Sequence, residues 1–139
     1  MLNSRIDPPR CDNCHEPSTR THYAAIAMAN NSEAGYRQLV VWQKSMDLVV
    51  EVYRCTQAFP RDELFGLTSQ MRRASISVPS NISEGKGRYT RGELVQFLFN
   101  ARGSLLELQT QITLAGRLGY LHEIQIADLE RRSAEVGGC

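Results

Sequence analysis

The chain has 139 residues, 42% of them apolar and 22% charged, enough for one core, too few for a second domain of ordinary size, and too apolar for a wholly disordered chain. Sixteen basic against fifteen acidic residues give a net charge of +1, which excludes the strongly basic balance of a dedicated nucleic-acid binder and makes any basic patch a local one. No apolar run nears the ~18 residues of a membrane-spanning helix, and Met1–Arg10 lacks the ~7–15-residue apolar stretch of a signal peptide, so the expected compartment is the cytoplasm, with reduced thiols.

Residues 1–35 are punctuated by Pro8, Pro9, Pro17, Asn30, Asn31, Ser32 and Gly35, and no apolar period persists in them. They read as a disordered or irregular N-terminal arm. Within it Ala24–Ala29 is long enough for one or two helical turns, which Asn30-Asn31-Ser32 would end. Met28 is a candidate start of translation, a hypothesis that mass spectrometry of the native N-terminus decides.

From Tyr36 to the end, residues 36–139, the period is helical. Leu39, Trp42, Met46, Val49 and Tyr53 form the first stripe, widened by Val52, Cys55 and Phe59 and stopped by Pro60. Leu64, Leu67, Met71, Ala74, Val78 and Ile82 form the second, with Pro79 predicting either a kink near Ser75–Pro79 or a separate short turn. Thr90 and Glu93 have the spacing of a capping box and open a third helix carrying Leu94, Phe97, Ala101, Leu105, Leu108, Ile112 and Ala115. Gly103 and Ser104 in that helix offer a place for a neighbouring backbone to come close, and Gly116 and Gly119 close it. His122–Val136 reads as a weaker, shorter fourth helix with Ile126, Leu129 and Val136 inward. No strand-like alternation occurs, so the expected fold is all-α, an up-and-down antiparallel four-helix bundle with a short fourth helix.

Four blocks carry a family resemblance: Val41-Trp42-Gln43-Lys44, then Phe65 to Ala74 (FGLTSQMRRA), then Val78 to Gly85 (VPSNISEG), then Gly103 to Leu108 (GSLLEL). They closely resemble the four-helix-bundle proteins encoded in intervening sequences of bacterial 23S ribosomal RNA genes, over roughly Tyr36 to Tyr120. The resemblance implies an up-and-down bundle, a homopentamer, and a cytoplasmic bacterial protein with no established enzymatic activity. A more distant similarity is to accessory bundle proteins of diversity-generating retroelements, which work beside a reverse transcriptase and bind nucleic acid, an analogy of fold and partner. Residues 1–35 have no counterpart in the family pattern, and the last helix is shorter than family members usually carry, so part of the other three helices is left for assembly to hide, unless the reading frame is truncated.

Cys11-Asp12-Asn13-Cys14-His15 matches the haem-attachment pattern C-x-x-C-H, and Cys11, Cys14, His15 and His22 have zinc-ligand chemistry. Haem attachment needs export and a pocket, and the zinc spacing fits no common finger, so the expectation is a thiol-bearing tail with no cofactor and no metal. Arg72, Arg73, Lys86, Arg88 and Arg91 lie along the second helix and the following turn, opposed nearby only by Glu84, with Ser80, Asn81 and Tyr89 as neighbouring hydrogen-bonding groups. Such cations suit phosphate contacts with RNA or DNA, and equally a solvated face or intersubunit ion pairs. Arg102, Glu107 and Arg117 are expected to make bundle or subunit salt links. The three histidines stand apart from any nucleophile, no paired carboxylates or Gly-rich phosphate loop occurs, and Glu84 and Glu107 lack the Glu-x-x-His arrangement of di-iron bundles. The expectation is a non-enzymatic oligomeric interaction module. It stands open between a nucleic-acid-associated bundle, a purely structural or protein-binding oligomer, and a metal-binding arm.

Overall fold

The computed structural model describes residues 35–139. The expectations of an irregular N-terminal arm, of a start at Met28 and of ligand chemistry at Cys11, Cys14, His15 and His22 fall outside the described residues. Four α-helices follow a single 3-10 turn at Tyr36–Gln38: α1 (Val40–Thr56), α2 (Leu67–Lys86), α3 (Arg91–Arg117) and α4 (Glu123–Gly137), with a second 3-10 turn at Arg61–Glu63 between α1 and α2. Each helix packs on its chain neighbours and α4 closes on α1, with the α2–α3 pair the most extensive. Contacts between opposite helix ends make neighbours antiparallel. Thr56 at the end of α1 meets Arg72 early in α2, and Lys44 early in α1 pairs with Glu135 late in α4 at 3.6 Å. This is the up-and-down four-helix bundle that the helical stripes predict.

The core runs through Leu48 and Val52 of α1, Met71 and Val78 of α2, Leu108 and Ile112 of α3, and Leu129 of α4, all essentially inaccessible to solvent. On α2 and α3 the predicted stripes are largely the buried faces. On α1 the buried face is rotated. Ser45, Leu48, Val52, Cys55 and Thr56 point inward, whereas Met46 and Tyr53 are partly exposed and Trp42 and Val49 are half-buried beside α2. Small Ser45 is admitted to the core because its Oγ donates to the Trp42 carbonyl at 2.7 Å.

Three local expectations resolve differently from the sequence pattern. Of the two readings of Pro79, the separate short turn does not form: α2 runs from Leu67 to Lys86 as one helix with the proline inside it. Leu64 is exposed, outside the helix it was expected to begin. Gly103 is exposed and would find nothing within 4 Å of an added Cβ. The close approaches occur instead at Gly85, where a Cβ would sit 2.8 Å from the Phe97 Cβ, and at Gly116, where it would sit 2.7 Å from Ile126 Cδ1. The capping box is present, with Glu93 N–H donating to Thr90 Oγ1 at 3.2 Å and Thr90 N–H to Glu93 Oε2 at 3.3 Å. Gly119 adopts a left-handed φ of +75°, which lets Tyr120 N–H reach back to the Ala115 carbonyl at 2.9 Å and turn the chain sharply out of α3.

At 15 residues α4 is about 22 Å long, against about 40 Å for the 27-residue α3. Gly137, its last residue, lies beside Leu105, so the α3 segment from Arg91 to Ser104 runs on with no fourth helix next to it. No helix among the described residues is long and apolar enough to cross a membrane.

Candidate nucleic-acid interface

The connection between α2 and α3 is built by two helix ends. Gly87 stops α2 by donating to the Ser83 and Glu84 carbonyls, and Thr90 starts α3 through its capping box. Between them the chain presents Arg88 and a wholly exposed Tyr89, flanked by Lys86 as the last residue of α2 and Arg91 as the first of α3. Arg91 stands at a helix N-terminus, where the aligned peptide dipoles already favour anions rather than cations. That local conflict concentrates positive potential at the turn.

The structure brings Lys86, Arg88 and Arg91 together and sets Arg72 and Arg73 apart. Fourteen residues of α2 separate Arg72 from Lys86, about 21 Å along the axis. Arg72 is also engaged, its Nε donating to Thr56 Oγ1 at 2.9 Å and its guanidinium lying 4.6 Å from the Tyr53 ring centre. Arg73 is exposed at the same far end. The local charge excess read along the sequence is therefore divided between the two ends of the bundle. At the turn, Arg88 pairs with Glu84 and stacks 4.7 Å from the Phe97 ring centre, while among the described residues no ion pair engages Lys86 or Arg91. Ser80 and Asn81 donate to the Ile76 and Ser77 carbonyls within α2, so of the three polar neighbours named from the sequence Tyr89 alone projects from the turn.

Beside the turn lies a groove of about 450 Å³ that sequence reasoning foresaw only as uncovered surface. It follows the track α4 vacates, between Leu39 and Val41 at the start of α1, Val78 and Ile82 of α2, and Leu94 and Leu98 of α3, with Val136 closing its end. Lys86 and Arg102 border it as exposed cations that make no ion pair among the described residues. A shallower groove of about 230 Å³ runs between α1 and α2, lined by Tyr36, Trp42, Met46, Val49, Ile76 and Pro79. On α3, Val95, Phe99 and Leu106 form an exposed apolar stripe.

The perturbed titratable groups have structural causes. Burial, reinforced by the neighbouring Glu51 carboxylate, pushes the Cys55 thiol up to about 11. Hydrogen bonds from Arg132 at 2.7 Å and Arg131 at 2.6 Å hold the Asp128 carboxyl below its ordinary range. Partial burial and the Glu63 carboxylate, which accepts its hydroxyl at 3.2 Å, raise Tyr120. Cys55 of α1 lies within electrostatic reach of Asp128 and Arg132 of α4, Tyr120 stands apart in the connection after α3, and none of these groups lines either groove described above. Arg102, Glu107 and Arg117 make no ion pair among the described residues, although Glu107 accepts from Gln111 at 3.1 Å. His122 precedes α4, its N–H donating to Gln125 Oε1 at 2.9 Å. No group of three or more His, Cys, Asp or Glu among the described residues is placed to hold a metal ion.

Compared with known proteins, residues 37–139 match the family model described as 23S rRNA-intervening sequence protein. No curated protein matches the chain. Among solved structures, a protein of unknown function from the S23 ribosomal protein family of Bacteroides thetaiotaomicron is similar over 71% of this chain and 93% of its own, with a TM-score of 0.66 and 22% identity. At that identity the likeness speaks to the fold.

Proposed function

Starting from the fact that the chain belongs to the 23S rRNA-intervening sequence protein family, we propose that it is a non-enzymatic oligomeric interaction module of the bacterial cytoplasm that binds RNA or DNA through the α2–α3 turn. The observation that carries the reading is the turn itself, where Lys86, Arg88 and Arg91 surround a wholly exposed Tyr89. Cations neutralise phosphates and release counterions, and an exposed ring offers a stacking surface to any unpaired base. Such a site tolerates sequence and prefers single-stranded nucleic acid.

Assembly strengthens it. The α1–α2 groove and the Val95, Phe99 and Leu106 stripe are two different apolar faces on one protomer, and unlike faces that fit each other build head-to-tail rings. The family resemblance makes a homopentamer the first ring to test. Ring closure repeats the basic turn around one rim, turning a weak local charge into a multivalent one.

The experiment is a salt titration of binding to single-stranded RNA and DNA, with light scattering to follow assembly. Affinity is expected to fall steeply with salt. Lys86→Gln with Arg91→Gln should flatten that slope, and Tyr89→Ala should weaken binding about tenfold, all with the oligomer intact. A second reading, a purely structural or protein-binding oligomer, is favoured by the internal engagement of Arg72 and Arg88. It prevails if the native protein has no salt-dependent nucleic-acid affinity while substitutions at the turn disrupt assembly.

A further inference from the structure

The groove along the vacated α4 track is used by neither the packed core nor the assembly faces proposed above, and its shape and charge both restrict what fits it. We propose that it binds one free long-chain fatty acid as its carboxylate, with the tail along α3 and the carboxylate at the mouth beside Lys86. Leu94, Leu98, Ala101 and Leu105 line about 17 Å of α3 axis. Spread over that length, the groove volume of about 450 Å³ gives a mean cross-section of about 26 Å². A helix about 10 Å across needs roughly three times as much, whereas an alkyl chain is only about 4–5 Å wide, set by the contact spacing of carbon atoms. The space suits one thin chain and is too narrow for two side by side. Extended, such a chain advances about 1.25 Å per carbon, from its bond length and tetrahedral angle, so about twelve carbons fill the groove.

Charge selects the headgroup. The described residues lining the groove include two cations, Lys86 and Arg102, and no Asp or Glu. Neither cation makes an ion pair among the described residues, so both are available to an anion. Lys86 is the last residue of α2, on the side of the groove that faces the turn. A carboxylate there keeps part of its water while gaining a charge-assisted hydrogen bond. The other end is closed by Val136, an apolar stop for the methyl end of the tail. Arg102, further along α3, adds positive potential to the same wall and offers its aliphatic stem to the tail. A cationic amphiphile would instead bring a third positive charge to this rim. The inference does not rest on nucleic-acid binding at the turn, since it needs only the groove and its two bordering cations.

The test is calorimetric titration of the full chain with dodecanoate and with dodecyltrimethylammonium, each below its critical micelle concentration. It is paired with alkylation of Cys139, which lines the groove and is exposed. Dodecanoate is expected to bind once per protomer, to slow that alkylation, and to bind at least about tenfold more tightly than the cationic amphiphile. Lys86→Gln with Arg102→Gln should cut the preference to below about threefold. Leu98→Ser, at a partly exposed position, should weaken dodecanoate about tenfold. From octanoate to dodecanoate each methylene should tighten binding about two- to fourfold, with no further gain at tetradecanoate. Equal affinity for the two charge signs overturns the proposal, as does a preference that the double variant leaves unchanged. Binding that leaves Cys139 as reactive as before, or that Leu98→Ser does not weaken, places the ligand elsewhere and overturns it too. So does the absence of saturable binding, or uptake of many molecules with loss of helical circular dichroism, which is detergent action on the bundle.

Discussion

The two ends of the bundle are finished in different ways. At the end where α1 passes to α2 and α3 to α4, two connections lock onto each other. Glu63 accepts the Leu67 N–H at 2.9 Å through one oxygen and the Tyr120 hydroxyl at 3.2 Å through the other, and the Phe59 and Tyr120 rings pack with centres 5.4 Å apart. Leu121, the next residue in the same connection, is buried. At the opposite end α4 stops early, Leu98 and Phe99 are 43% and 62% exposed, and the connecting turn offers cations and a bare tyrosine. A bundle end sealed by its own loops has little left to bind with. An end where one helix falls short keeps both apolar and charged groups available to a partner.

Matched phenylalanines give the most direct attack on that contrast. Phe59→Ala at the sealed end removes a ring that is 8% exposed and should cost about 3–5 kcal/mol in denaturant unfolding, whereas Phe99→Ala at the open end should stay within about 0.5 kcal/mol when unfolding is followed at concentrations low enough to keep the protomers apart. Equal losses would mean the open end is covered in the isolated protein. A pair of glycines sharpens the picture. Gly85→Ala forces a methyl against Phe97 and should destabilise by about 1–3 kcal/mol, while Gly103→Ala, in open space on a helix, should stabilise by about 0.5–1 kcal/mol. The open end is therefore tight between α2 and α3 and open only on the α4 side. Thr90→Ala removes the cap at the basic turn and should cost about 1 kcal/mol, with increased amide exchange confined to the first turn of α3.

The smallest effects concern thiols and pH. Cys139 borders the open groove and is exposed, Cys55 is buried, so an alkylating reagent near pH 8 should label Cys139 readily and Cys55 only on unfolding. The Cys55 thiol is raised in the folded protein, so the folded state holds its proton more tightly. The stability this adds is fully present below the ordinary thiol value of 9.0 and is lost as pH climbs toward about 11. Cys55→Ala should flatten that alkaline decline. Asp128 acts in the opposite direction: its lowered carboxyl contributes above the ordinary carboxylate range and fades as pH falls through its depressed value, a limb that Asp128→Asn should remove.

How far the sequence speaks depends on what each residue answers to. Met71, Ala74, Val78 and Ile82 were legible because a helix against a continuous core must repeat apolar residues at its own period. The capping box was legible because both of its bonds are local. On α1 the same logic picked a face turned too far toward α2, since Trp42 and Met46 are apolar but sit at an outer groove, while Ser45 is polar and buried. Arg72 and Arg88 are close in sequence and remote in space, because charge counted along a chain ignores the rise of the helix carrying it. Glu63 was invisible as a link, since its partner Tyr120 comes from the other connection and no local pattern joins them.

The order in which the helices pack also sets a kinetic sequence. α2 and α3 share the largest interface and are joined by a tight turn, so their contacts cost little loop closure. The α4–α1 contact, fastened by Lys44 and Glu135, joins opposite ends of the described chain. Local contacts should organise the folding transition state, with α4 arriving after the barrier. In stopped-flow experiments, Leu108→Ala on α3 should slow folding, while Leu129→Ala on α4 should chiefly speed unfolding. The helix that leaves the groove uncovered would then also be the last to dock.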